Sequence, residues 1–159
     1  MRLKTKVLFV CSHNTARSQL AAALLEKFGG EDFQAHSAGV EAGILNPYAV
    51  EVLKDEDIDI SNNTTNKIMD FFKEGRHYHY VITVCDESKN EKCPIFPGLD
   101  AILHWSFPDP NFFVGDEAEI VAQMKDLKDK IKKIVLEFIS LTKDEHIKSG
   151  FPKKWHANN

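Results

Sequence analysis

No apolar run in the sequence approaches the roughly 18 residues that a membrane-spanning helix needs. The first residues pass from a short basic stretch into a brief strand-like apolar run without a small-residue cleavage site, so no anchor or export signal is expected and the cytoplasm is the expected compartment. Positive charge is scarce as well: 20 Lys and Arg stand against 24 Asp and Glu, a net charge of −4. A chain of that balance is not expected to bind nucleic acid or a membrane surface, so any anion site must be local. Cysteine is limited to three, an odd number, in a chain large enough to fold without cross-links. A secreted disulfide framework is therefore not expected, and reduced, reactive thiols fit better. Internal repeats and low-complexity segments are lacking, as is the Gly-Lys-Ser/Thr ending of a nucleotide-binding loop.

What is present fits one compact domain: 159 residues, 43% of them hydrophobic. Residues 1–141 are expected to form a single α/β catalytic domain and 142–159 a C-terminal tail, either docked through Trp155 or disordered. Val7 to Val10 is a continuous β-prone run, the pattern of a parallel strand covered on both faces. From Ser18 the period changes, with Leu20, Ala21, Leu24, Leu25 and Phe28 on one helical face and Gly29-Gly30 as a stop. Phe33 to Val40 reads as a second strand, and Asn46-Pro47 as a cap and first residue of a helix ending near Lys54. A short helix carrying Ile68, Met69 and Phe72 precedes a strand from Tyr78 to Val84, with Cys85 at its end. The stretch from Asp86 to Gly98 shows no periodicity and reads as a mobile loop carrying Cys93. Ala101 to Trp105 reads as a fourth strand, and Gly115 or Asp116 opens a long helix with Ile120, Val121, Met124, Leu127, Ile131, Ile134, Val135 and Phe138 inward. This alternation predicts a four-stranded open parallel sheet flanked by helices on both faces, with ligands at the carboxyl ends of the strands. No extra apolar face is evident, so a monomer is expected.

Between the first strand and the first helix stands Cys11-Ser12-His13-Asn14-Thr15-Ala16-Arg17-Ser18, a Cys-x5-Arg-Ser spacing. Backbone N–H groups of such a turn, with the helix N-terminus, converge as a nest for a tetrahedral dianion, and Arg17 adds a planar clamp. The same field favours the thiolate of Cys11 and makes it a nucleophile, while Ser18 can donate a hydrogen bond to that sulfur and Asn14 suits a left-handed turn position. Taken alone, Cys85 also reads as a core cysteine ending a strand, Cys93 as an idle loop thiol, and Asp109 as a turn aspartate before proline. His13 reads as a spacer, and His77 and His79 as surface residues without metal-ligand company.

Val7 to Cys11 through Arg17-Ser18-Gln19, with Ser37-Ala38-Gly39 and Asn46-Pro47, resemble the fold shared by low-molecular-weight tyrosine phosphatases and thioredoxin-coupled arsenate reductases. Cys85 in Val84-Cys85-Asp86 and Cys93 in Lys92-Cys93-Pro94, eight residues apart, resemble the redox pair of the reductase branch, as do Asp57 to Asn62 and His104 to Phe107 leading into Asp109-Pro110. The resemblance implies arsenate or a phosphate-like oxyanion as substrate, Cys11, Arg17, Cys85, Cys93 and Asp109 as catalytic residues, Ser12 to Ser18 around the anion, and thioredoxin as reductant. It implies no organic cofactor. Some reductases of this kind bind potassium through Asn, Glu, Ser and Asp; Asn14 and Ser37 match, but Ala22 and Asn66 fill the two acidic positions, so no metal is expected. The rival expectations are a phosphatase, which needs only Cys11, Arg17 and Asp109, and an oxyanion-binding regulatory domain without turnover.

Overall fold

The computed structural model describes residues 4–86 and 102–143. Cys93, the expected loop from residue 87 onward, Ala101, and the tail from residue 144 with Trp155 lie outside the described residues.

Four strands, β1 (Thr5–Cys11), β2 (Phe33–Gly39), β3 (Tyr80–Cys85) and β4 (Ile102–Ser106), form an all-parallel sheet in the order β2-β1-β3-β4. Val7, Leu8, Phe9 and Val10 are fully buried because β1 is central and covered on both faces. Strand alternation divides them. Val7 and Phe9 join Ile82, Val84 and Trp105 in the larger core, together with α1 (Arg17–Gly29), α2 (Pro47–Leu53) and α4 (Glu117–Lys143). Leu8 and Val10 join Ala38 and Val81 on the other face, beneath α3 (Ile68–Lys73).

The helix boundaries follow from local chemistry. Asn46 caps α2, its Oδ1 accepting from the backbone N–H of Tyr48 at 2.8 Å, with Pro47 as the first helical residue. Helix α4 begins at Glu117, slightly later than its expected opening, because Asp116 and Glu119 cap it reciprocally: Oδ1 of Asp116 accepts from the N–H of Glu119 at 2.9 Å, and Oε1 of Glu119 from the N–H of Asp116 at 3.4 Å. It runs to Lys143, two residues into the stretch read as tail. In α3 the buried pair is Ile68 and Phe71, three residues apart on one face, while Met69 and Phe72 are 55% and 40% exposed. The short helix expected with Ile68, Met69 and Phe72 is thus present, with Ile68 as the one of the three that faces the core.

One ion cluster ties α4 to the short 3-10 turn Lys54–Glu56 that follows α2. Glu56 accepts from Nζ of Lys128 at 2.9 Å and of Lys132 at 2.8 Å, and Lys128 is itself nearly buried. Hydrogen bonds from Lys132 and then Lys128 hold the Glu56 carboxyl below its ordinary value of 4.5. A carboxylate with a depressed folded-state pKa contributes stability that is present above the unfolded value and lost as pH falls through the folded one. Glu56→Gln leaves Lys128 without its main partner and is expected to lower the unfolding free energy at pH 7 by about 3 kcal/mol. In urea titrations the gap from the parent protein should close as pH drops below 4.5; a gap independent of pH would show that charge pairing is not its source.

Candidate active site at the carboxyl ends of the strands

The segment from Cys11 to Arg17 crosses from the end of β1 to the start of α1. Its carbonyls are turned outward onto the chain that follows β2: those of Cys11, Ser12, His13 and Thr15 accept from the N–H groups of Val40 (3.3 Å), Glu41 (3.0 Å), Gly43 (2.9 Å) and Asn46 (3.0 Å). A trans peptide places the next N–H opposite its carbonyl, so the N–H groups of Ser12, His13, Asn14 and Ala16 point to the concave side. The Asn14 N–H does so toward the Cys11 sulfur at 3.2 Å. Gly39 permits this packing, because a Cβ there would stand 2.7 Å from the Asn14 nitrogen and 2.8 Å from the His13 carbonyl carbon. The first N–H groups of α1 complete the concave side; its cap residue, Ala16, has no side chain to satisfy them.

Asn14 is the node of the loop. It sits at φ 57°, a conformation Asn tolerates better than most residues, and it is fully buried. Its Oδ1 accepts from the backbone N–H of Asn66 at 2.9 Å, which fixes the orientation of its carboxamide, since a backbone N–H can only donate. Nδ2 then donates to Oγ of Ser18 at 2.8 Å. The Ser18 hydroxyl lies 2.9 Å from the Cys11 sulfur, and to a thiolate there only the hydroxyl can donate. As a thiolate the sulfur is therefore met by two donors, and Cys11 is only 3% exposed.

Gln19, which closes the sequence motif, gains a role only from the fold. Buried behind the loop, its Nε2 lies 3.2 Å from both the backbone O and Oδ1 of Asn14 and 3.0 Å from the Thr64 carbonyl, while its Oε1 accepts from Asn63 at 3.2 Å. Asn66 also reaches the Ser37 carbonyl at 3.3 Å. Of the residues matching the potassium pattern, the Asn14 oxygens are taken by the Gln19 amide and the Ser37 carbonyl by the Asn66 amide, and Ala22 and Asn66 supply no negative charge; this arrangement does not fit a hard cation. Among the described residues no group of three or more His, Cys, Asp or Glu is placed to hold a metal.

Arg17 is nearly buried, donating from Nη1 to the Phe107 carbonyl at 3.4 Å and standing 3.6 Å from Oδ2 of Asp109 through Nη2. The other Asp109 oxygen accepts from the Asn111 N–H at 2.9 Å, so the carboxyl is held with one oxygen beside Arg17. Phe107 in turn donates its N–H to the Cys85 carbonyl at 3.3 Å, linking the end of β3 to the arginine. Val10 pairs with Thr83, so Cys11 ends level with Val84, one residue short of Cys85. Ordinary strand spacing then separates the two Cα atoms by roughly 6 Å. Alternation sends the side chains to opposite faces: the Cys11 sulfur lies on the α1 side, and the Cys85 sulfur lies with Thr83 and His104 on the other. Cys11 is a free thiol and Cys85 is disulfide-bonded.

His13 is exposed at the lip of the loop, beside an open cavity of about 590 Å3 that Thr15, Ile44, Tyr48 and Asn111 also line. His77 and His79 are exposed. No helix among the described residues is long and apolar enough to cross a membrane.

A parallel α/β domain whose first βα turn wraps a cysteine in inward N–H groups and an arginine defines a class of thiol-centred oxyanion proteins. Within that class the chain belongs to the low molecular weight phosphotyrosine protein phosphatase family, whose model matches residues 6–147. It is 36% identical over 129 residues to an arsenate reductase of Oceanobacillus iheyensis, covering 80% of this chain and 90% of that one. A solved arsenate reductase in the phosphate binding state superposes with a TM-score of 0.68 at 26% identity, covering 86% of this chain and 97% of that one. A thioredoxin-dependent arsenate reductase of Corynebacterium glutamicum superposes with a TM-score of 0.54 at 27% identity, over 85% of this chain and 63% of that one.

Because the Ser18 hydroxyl, 2.9 Å away, can donate to the Cys11 thiolate, Ser18→Ala is expected to slow iodoacetamide alkylation of Cys11 at pH 7 by roughly ten-fold. Asn14→Ala should slow it too, and should also lower the melting temperature. An unchanged rate in Ser18→Ala would mean that the hydroxyl does not serve the sulfur.

Proposed function

We propose that this chain is an arsenate reductase in which Cys11 attacks arsenate and a disulfide is then handed outward through Cys85 to Cys93. The observation that carries the reading is the Cys11 loop, with its carbonyls held outward, Arg17 at its end, and Asp109 beside the arginine. Similarity to proteins named arsenate reductase over most of the chain favours arsenic over phosphorus as the reacting centre.

Arsenate is held by the inward N–H groups from Ser12 to Ser18 and by Arg17. The Cys11 thiolate bonds to arsenic, and the departing oxygen leaves as water with a proton from Asp109. The Cys85 thiolate next bonds to the Cys11 sulfur. The Cys11–arsenic bond breaks with its electron pair passing to arsenic, which leaves as arsenite. Since the two sulfurs face opposite sides of the sheet, the end of β3 turns in this step. Cys93 then attacks Cys85, Cys11 departs as thiolate, and a dithiol reduces the Cys85–Cys93 bond. Thioredoxin is the proposed reductant, by similarity to the thioredoxin-dependent relative. The disulfide-bonded state of Cys85 beside a free Cys11 is the state this sequence of steps leaves before regeneration. We place this chemistry in a cytoplasmic monomer whose catalytic domain ends near residue 141.

A phosphatase reading is favoured by the family itself and uses the same Cys11, Arg17 and Asp109 to form and hydrolyse a phosphocysteine, without Cys85 or Cys93. The two are separated by measuring arsenate-dependent NADPH oxidation through thioredoxin reductase and thioredoxin, alongside aryl phosphate hydrolysis. Cys11→Ser should abolish both activities. Cys85→Ser and Cys93→Ser should each cut arsenate turnover by at least about 100-fold while sparing hydrolysis. Full arsenate turnover in either variant would remove the cascade, and hydrolysis without arsenate turnover in the parent would leave the phosphatase.

A further inference from the structure

The β3–β4 register sets Thr83 beside His104 and Cys85 beside Ser106, and on this side of the sheet the His104 ring reaches two β3 residues at once. Its Nδ1 stands 2.8 Å from Oγ1 of Thr83 and 3.8 Å from Sγ of Cys85. Thr83 is buried, and its hydroxyl also stands 3.4 Å from the Leu103 carbonyl; when it donates there, the same oxygen accepts from Nδ1. In that arrangement the imidazole proton is on Nδ1, between the threonine oxygen and the cysteine sulfur. Cys85 is fully buried. A sulfur in that setting has little water with which to bear charge, and an oriented N–H replaces it.

We propose that His104 is a positioning residue that holds its Nδ1–H on the sulfur of Cys85 and so makes Cys85 the leaving thiolate when the disulfide is reduced. The inference rests on the reading of Cys85 and Cys93 as the redox pair, and it concerns the regeneration step alone. A reductant thiolate forms a bond to the Cys93 sulfur. The Cys85–Cys93 bond breaks, its electron pair passes to the Cys85 sulfur, and the His104 N–H meets the charge as it develops. The second reductant thiol displaces Cys93, and both cysteines then exchange protons with solvent. Leaving-group stabilisation of this kind accelerates thiol–disulfide exchange. Thr83 is what keeps the imidazole in the donating tautomer.

The test is the rate at which dithiothreitol reduces the oxidised full-length protein, followed by trapping free thiols and mapping them by mass spectrometry. Arsenate is not required, so the readout does not depend on turnover. His104→Leu and His104→Gln should slow reduction by about ten-fold, whereas His104→Asn, whose amide N–H falls near the place of Nδ1, should stay within about three-fold of the parent. If the leucine variant does not fold, the asparagine and glutamine variants alone decide, since they differ in where the N–H is placed and not in its presence. Equal rates in all variants, or an asparagine variant as slow as the glutamine one, would overturn the role of His104. An oxidised parent protein whose Cys85 is not joined to Cys93 would overturn the underlying redox pair, and with it the inference.

Discussion

The backbone N–H of Asn66 can point in only one direction, and it ends on Oδ1 of Asn14. From that contact the carboxamide cannot flip and its NH2 group faces Ser18, whose hydroxyl stands 2.9 Å from the Cys11 sulfur and donates to it when that sulfur is a thiolate. The orientation of the Asn14 carboxamide is thus set by a peptide group on a different segment of chain. Gln19 braces the same node from behind, bridging Asn14 to the Thr64 carbonyl.

The sheet gives this node a rigid base. β1 is hydrogen-bonded on both sides and buried on both faces, so its end, where Cys11 begins the loop, has little freedom to shift. The segment from Val40 to Asn46 then pulls four loop carbonyls away from the concavity. On the far side of β1, the chain leaving β4 carries Phe107 and Asp109, which touch Cys85 and Arg17 respectively. Anion loop, acid and second cysteine are therefore coupled through two strands and one turn, with no dedicated scaffold for each.

Much of this could be read from residues alone. The Val7 to Val10 run announced a central parallel strand, the 3.6-residue period after Ser18 announced α1, and the Cys-to-Arg interval between them had few other chemical uses. Asn46-Pro47 marked a helix start that the capping geometry reproduces. Other features left weaker traces. In α3, two adjacent apolar pairs allow either Ile68 and Phe71 or Met69 and Phe72 to face inward, and only packing against Leu8 and Val10 decides. Gln19 looked like an ordinary helix residue, because its partners Asn63 and Thr64 lie on a segment far away in sequence. That Cys11 and Cys85 end adjacent strands on opposite faces depends on register, which a sequence pattern does not reveal. Cys93 lies outside the described residues, so its part rests on the sequence.

The account comes down to whether the sulfur held by Ser18 and Asn14 is the one that meets the oxyanion and then passes on its oxidation. The direct measurement is peptide mapping of reduced Cys93→Ser protein after a single exposure to arsenate without reductant. A disulfide joining Cys11 to Cys85 is expected, together with one equivalent of arsenite. Arsenite formed while Cys11 remains a free thiol, or no arsenite with both thiols intact, would contradict it.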